Sequence, residues 1–517
     1  MANQTGSTGS VAYDVTGRKD VNLLHGKAIG LIGVLFLTVT GAAPISAMLF
    51  NVPIAAGFGN GLGTPAAFLV ATIVLTIFSV GYAAMARKVT AVGGFYSFIS
   101  HGLGRPLGMS LGFASIVAYC VFETSLAGGF AFFANQSFNE WFGVNIPWPV
   151  FAFAMVLGIG VLSYFDVKVS AMILGVALIG EVIILTIFDI GVIASSTAHW
   201  DPAALNPFAA FKGFDGFTNS AGAQIGGGVA AIGLFFAFWS WVGFEMAPNY
   251  GEESKDPKRI VPMSLYISVI GLGLFYIITS WAAVSAYPDF DSMVTQAATN
   301  SGEFFKAPLA ASVGEWAREV MSVLILTSAF ACGMAFHNTA ARYIYSLARE
   351  GVLPVGAAKT HSSYKSPHIA SCTQTVLAII IIVLFMIFAG TGDPTQQAYL
   401  ALYGLMALLG TSLILFAQAV VSLAIIAYFR THHKEDHHWF ETLVAPLVSF
   451  VAQIYIIYLL FSNMAFLGGG LSFANYILWI NLAIIIVGLL GALWLKSAKP
   501  DVYDKLGRLL YEGLGSK

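Results

Sequence analysis

The sequence predicts an all-α integral membrane protein with twelve transmembrane helices, and its composition, the lengths of its apolar runs and the placement of its basic residues all lead there. Of the 517 residues, 57% are Ala, Val, Ile, Leu, Met, Phe, Trp, Tyr or Cys and only 10% are Asp, Glu, Lys or Arg, against roughly 25% charged residues in soluble domains. A water-soluble globule of this length has no way to hide that much apolar surface. Membrane lipid is therefore the expected solvent and partner.

Apolar runs, punctuated by Pro, Gly and charge clusters, divide the chain into twelve spans at 28–50, 64–86, 107–135, 148–166, 169–195, 226–250, 261–287, 315–348, 367–390, 396–429, 440–462 and 473–496. Each is long enough to cross about 30 Å of hydrocarbon. Residues 1–26 are polar, lack the short apolar core of a cleavable signal, and are expected to form a disordered cytoplasmic tail. Residues 497–517 form a second cytoplasmic tail in this reading.

An even number of spans puts both termini on one side. Of the 24 Lys and Arg, only Lys212, Lys306 and Arg318 fall in the loops of the opposite side. By the positive-inside rule both termini are cytoplasmic, in a multi-pass protein of the cell membrane. The longest external stretches, 196–225 and 288–314, hold no cluster with metal-ligand or nucleophile spacing and are expected to act as caps. A net charge of −2 offers no basic excess for a nucleic-acid backbone, so nucleic acid is set aside as a partner. The three cysteines, Cys120, Cys332 and Cys372, lie in apolar runs and make neither a disulfide framework nor a zinc motif.

Irregular backbone at mid-depth is tolerated only where protein or a wet cavity lines it, so helix breaks mark candidate sites. Thr40-Gly41-Ala42-Ala43-Pro44 lies near the middle of the first span. Pro44 has no N–H, which frees the Thr40 carbonyl, and the small residues before it let a ligand approach the backbone. Such a break offers carbonyls to an ammonium and N–H groups to a carboxylate. The alternative is a packing kink. In the sixth span, Trp239-Ser240-Trp241-Val242-Gly243 places a helix-weakening glycine and two Trp far from the interfaces where Trp usually gathers. Here the alternative is two core aromatics filling bulk. The first and sixth spans each open a set of five, and five being odd, the second set runs inverted. That is the arrangement of an inverted-repeat transporter with paired broken helices around a midplane site.

Three further stretches resemble the amino acid–polyamine–organocation (APC) superfamily of permeases. They are Gly93-Gly94-Phe95-Tyr96-Ser97-Phe98 with Gly102-Leu103-Gly104-Arg105; Trp239 through Glu245 running into Glu252-Glu253-Ser254-Lys255-Asp256-Pro257-Lys258-Arg259-Ile260-Val261-Pro262; and Asn338-Thr339-Ala340-Ala341-Arg342 with Ala348-Arg349-Glu350-Gly351-Val352-Leu353-Pro354. The resemblance implies a LeuT-like 5+5 inverted repeat at 27–429 (repeats 27–195 and 226–429) plus two peripheral helices at 430–496. It also implies secondary transport by alternating access. By the same resemblance the substrate's amino and carboxyl groups are held at the first break, where this chain departs from a Gly-rich pattern, Trp239 gates the site, and Phe336 sandwiches the substrate side chain.

Glu123, Glu181 and Glu245 lie inside apolar spans. An ionised carboxylate at the bilayer centre costs about 2.5–3.5 kcal/mol even on a lenient scale, so each must be paired, hydrated or protonated. By resemblance, Glu181 stands where some proton-coupled relatives carry a Lys in place of a sodium site. With Ser328 it would bind the coupling proton or a sodium ion, and no other cofactor is expected. Glu245 follows the gating aromatic motif, and Glu123 would either face a substrate amine or bond a neighbouring span. His337 is expected to pack between helices, and His432, His433, His437 and His438 to lie in a solvated loop.

The expected function is import of an amino acid or small organic amine, polyamines included, by proton symport. Exchange of two amines and a non-transporting amine sensor remain open. No His-x-x-x-His, Gly-x-Ser-x-Gly or Asp pair lies at depth, so an intramembrane enzyme is not expected.

Overall fold

The computed structural model describes residues 29–89, 93–164, 167–251, 254–361, 363–364, 366–464, 472–504 and 506, with backbone alone for 167–174. The expected tail at 1–26, most of the one at 497–517, and the motif residues Glu252 and Glu253 lie outside them.

Eleven helices among the described residues are long and apolar enough to cross a membrane. They are Leu31–Phe58, Gly61–Ala86, Arg105–Phe142, Gly175–Ala194, Ala230–Tyr250, Pro257–Ser285, Glu315–Arg349, His368–Ala389, Thr395–Thr431, Phe440–Ser462 and Ser472–Ala498. The predicted fourth span is the apolar helix Trp148–Tyr164, whose 17 residues reach about 25 Å at 1.5 Å per residue. Pro106 and Pro257 lie in the first turn of their spans, and Pro65 opens the α-helix that follows the 3₁₀ turn Gly61–Gly63, places where a missing N–H costs nothing.

The third span, Arg105–Phe142, is the axis of the bundle and packs along the eighth, Glu315–Arg349, and the tenth, Thr395–Thr431. Of its apolar stretch 89% is buried, whereas the ninth and twelfth spans bury only 17% and 22%. Phe388 on the ninth and Trp479 on the twelfth accordingly face outward, where lipid rather than water suits them.

Elements beyond the predicted spans complete the bundle. The first span continues to Phe58 rather than ending near 50, after a stretch of wider helical turns at Ala47–Asn51. In the 196–225 stretch, Phe217–Thr218 pairs antiparallel with Gln224–Ile225, Phe217 opposite Ile225. The 288–314 stretch holds helices Phe290–Thr299 and Lys306–Ser312. Gly94–Leu103 forms a short helix against the third and tenth spans. Its Gly93-Gly94 start takes φ of 115° and 40°, and a Cβ on Gly94 would come within 3.0 Å of Asn249 Oδ1 and 3.1 Å of Tyr343 OH. Both demands exclude larger residues there.

Candidate functional site between the first and sixth spans

The first span is interrupted. Its opening helix, Leu31–Ala42, stops at Ala43, which takes φ 41° and ψ 79°. Ala43 is the one non-glycine residue with positive φ among the described residues, a conformation costing an L-residue roughly 1–2 kcal/mol. Pro44 then starts the second half. The backbone groups released by the break find specific partners: Cys332 Sγ donates to the Gly41 carbonyl at 3.2 Å, Tyr276 OH donates to the Ala42 carbonyl at 2.9 Å, and Ile45 N donates to Glu181 Oε2 at 3.2 Å.

A matching interruption divides the sixth span. The helix Ala230–Trp239 gives way to a turn at Ser240–Gly243, and Gly243 adopts φ 122° before a 3₁₀ helix at Phe244–Tyr250. Glu245 holds this turn from below: Oε2 accepts from Gly243 N at 2.9 Å and Oε1 accepts from Tyr119 OH at 2.9 Å. Its carbonyl accepts from Tyr82 OH at 3.2 Å. The acid is thus anchored to the second and third spans as well as to its own turn.

Between the two breaks lies a small cavity of about 20 Å³, room for little more than one water molecule. Its walls include Gly41, Ala42, Ala43, Trp239, Ser240, Val242 and Phe336 of the predicted binding residues, whereas Thr40, Pro44, Trp241 and Gly243 do not line it. Trp241 packs instead on Phe68 and Tyr276. Trp239 lies 5.9 Å from Phe336, with which it forms one aromatic wall, and 4.6 Å from Phe122 behind it, centroid to centroid.

A polar thread that sequence reasoning missed closes another wall. Trp239 Nε1 donates to Tyr403 OH at 2.8 Å, Tyr403 OH donates to Asn51 Oδ1, and Asn51 Nδ2 donates to Ser240 Oγ at 2.7 Å. Asn51, Tyr403, Cys332 and Ser46 all line the cavity. Each is a lone polar residue in an apolar run, and only its position relative to the breaks could have singled it out.

None of Glu123, Glu181, Glu245 and Ser328 lines the cavity. Glu181 and Ser328 sit one layer behind it: Ser328 hydrogen-bonds the Glu181 carboxyl and accepts at 2.9 Å from Ser46, which does face the cavity. Glu123 lies in a separate buried network, 3.0 Å from His337 Nδ1 and 2.7 Å from Gln374 Nε2, with Ser371 on the far side of the imidazole at 2.8 Å. Its partners come from the eighth and ninth spans. A fourth buried acid, Asp189 of the fifth span, accepts from Thr279 Oγ1 at 2.9 Å. It lies eight residues, two turns, beyond Glu181, a repeat within an apolar span that marks one helix face. His433 approaches Asp436 at 3.5 Å in the loop after the tenth span, and no group of three potential metal ligands forms among the described residues.

The sequence pattern of the amino acid permease family matches residues 29–497. Similar curated proteins include the branched-chain amino acid permease BcaP of Bacillus subtilis strain 168, 22% identical over 91% of each chain. The low-affinity putrescine importer PlaP of Escherichia coli K12 is 22% identical over 81% of this chain and 86% of its own, and the methylthioribose transporter of Bacillus subtilis is 22% identical over 87% and 89%. These relatives are transporters rather than enzymes. With a match that covers almost the whole helical bundle and both interrupted spans, the chain belongs to the amino acid permease family of the APC superfamily.

Proposed function

We propose that the protein imports an amino acid or a small organic amine across the cell membrane by proton symport, using alternating access between two inverted five-helix repeats flanked by two peripheral helices. The observation that carries this reading is the small cavity between two interrupted spans, with a carboxylate bonded to the backbone of one of them. Trp239, Phe336 and the Tyr403–Asn51–Ser240 thread would occlude the solute. Rocking of one repeat against the other would then expose it on the far side.

Glu181 is the coupling group in this scheme. When neutral it gives up its hold as an anion on Ile45 N and changes the charge beside the first break, where the substrate binds. A proton taken from outside is thereby linked to the shape of the site. Lys and Arg concentrate on the side of the termini, which supports placing both termini in the cytoplasm.

The described cavity walls are uncharged, with hydroxyl, amide, thiol and aromatic groups. They suit a solute whose single ammonium rests on the broken-helix carbonyls better than a diamine, whose distal ammonium would lie against apolar side chains at high desolvation cost. The test is uptake of radiolabelled amino acids and of putrescine into sealed proteoliposomes. Saturable uptake that rises with an inward proton gradient and favours uncharged side chains supports the reading. Uptake that ignores the gradient but requires an internal counter-solute makes the protein an exchanger, and binding without flux makes it a sensor.

A further inference from the structure

Asp189 is buried to 6% exposure, and its Oδ2 accepts from Thr279 while Oδ1 has no hydrogen-bond partner among the described residues. A carboxyl oxygen left in that condition inside a membrane bundle is costly unless something transiently fills it. Its location is specific. The neighbouring Phe188 packs on Phe305 at 5.0 Å, and Gly191 abuts Ser312, the last residue of the cap helix Lys306–Ser312, and Val313 just after it. Asp189 therefore stands where the bundle meets its cap, at the end opposite the basic loops.

From there one face leads inward. Glu181 is two turns away on the same side of the fifth span, about 12 Å along the axis. Thr279, which bonds Asp189, has Tyr276 one turn below it on the seventh span, and Tyr276 bonds Ala42 at the break whose Ile45 is held by Glu181. Two acids on one helix are thus matched by two hydroxyls on its neighbour.

We propose that Asp189 is a proton-binding waystation that passes the coupling proton from the capped surface to Glu181, an inference that rests on the proton-symport reading. A hydronium ion gives its proton to Oδ1 of the Asp189 carboxylate and becomes water. The neutral acid then releases that proton inward, through water or the Thr279 and Tyr276 hydroxyls, to the Glu181 carboxylate, and Asp189 returns to its charged form. Only O–H bonds change, and no co-reactant is needed.

Other charged groups on the elements packed nearby are engaged elsewhere. Lys306 pairs with Glu303 and Glu140; Arg318 pairs with Glu303, Glu140, Glu315 and Glu319. Tyr287 OH donates to the Phe304 carbonyl, and His199 Nδ1 contacts the Thr197 carbonyl. None of these is a bonded partner of Asp189.

The experiment compares wild type, Asp189→Asn, Asp189→Glu and Thr279→Val in proteoliposomes supplied with a radiolabelled mixture of amino acids. Gradient-driven uptake and gradient-free counterflow are measured side by side. The expected result for Asp189→Asn is a fall in gradient-driven uptake of about tenfold or more with counterflow retained, partial recovery in Asp189→Glu, and a smaller fall in Thr279→Val. Gradient-driven uptake in Asp189→Asn equal to that of wild type overturns the waystation and leaves the symport reading standing. Equal loss of uptake and counterflow in both Asp189→Asn and Thr279→Val also overturns it, as the mark of a purely structural role. If wild-type uptake ignores the gradient, the symport reading fails and the waystation falls with it.

Discussion

Gly243 of the sixth span stands directly against Gly41 of the first: a Cβ added to Gly243 would lie 2.6 Å from the Gly41 carbonyl carbon and 2.9 Å from Ala42 N. The two interrupted spans meet backbone to backbone beside the cavity, and only the absence of a side chain on Gly243 lets them. Gly243→Ala therefore suffers both a positive φ of 122° and a contact with rigid backbone. A loss of roughly 2–5 kcal/mol is expected, seen as a lower unfolding temperature in detergent and loss of uptake. Gly41→Ala meets first the Met246 methyl, the end of a flexible chain, and should cost only about 1 kcal/mol.

Ala43 supplies a test of opposite sign. Its αL backbone is strained for alanine but natural for glycine, so Ala43→Gly should leave stability unchanged or raise it by up to about 1 kcal/mol once glycine's greater unfolded-state entropy is counted. Ala43→Val should unfold the break, because a β-branched residue is poorly accommodated at positive φ. Thermal unfolding of the two variants beside wild type reads the difference directly.

The first break was legible because Pro44 cannot donate a backbone hydrogen bond and is preceded by small residues, a local chemical fact that needs no tertiary information. The strained conformation of Ala43 was not, since alanine by itself favours a continuing helix and only its surroundings hold it in αL. In the sixth span Gly243 and the two Trp were legible, yet Trp239 faces the cavity and Trp241 does not, a distinction set by the turn between them. The predicted spans fall close to the observed helices because apolar length alone defines them. Asn51 and Tyr403 were invisible as binding residues because each is defined by a partner far along the chain. Asp189 is legible in the sequence only as an acid eight residues beyond Glu181 in an apolar span, and its bond to Thr279 of the seventh span is set by the fold.

The Tyr403 hydroxyl joins Trp239 to Asn51. Tyr403→Phe keeps the ring and leaves Trp239 Nε1 and Asn51 Oδ1 facing an apolar edge, at a cost of about 1–3 kcal/mol. The expected outcome is a raised half-saturation concentration, because the occluded form that holds the solute is disfavoured. Uptake kinetics over a range of solute concentrations measure it.

Glu181→Gln keeps the size of the side chain and removes its ability to titrate. Uptake should lose its dependence on an imposed proton gradient while counterflow persists. A variant that retains the full gradient dependence would remove Glu181 from the coupling role.

The central claim is that solute binds in the cavity between the two breaks, and filling that cavity tests it most directly. Ala47 is buried in the cavity wall, so Ala47→Phe would place a ring in the solute's volume. In proteoliposomes of folded protein, the account predicts saturable, stereoselective uptake of at least one amino acid or amine by wild type and none by Ala47→Phe. Undiminished uptake by Ala47→Phe would contradict it.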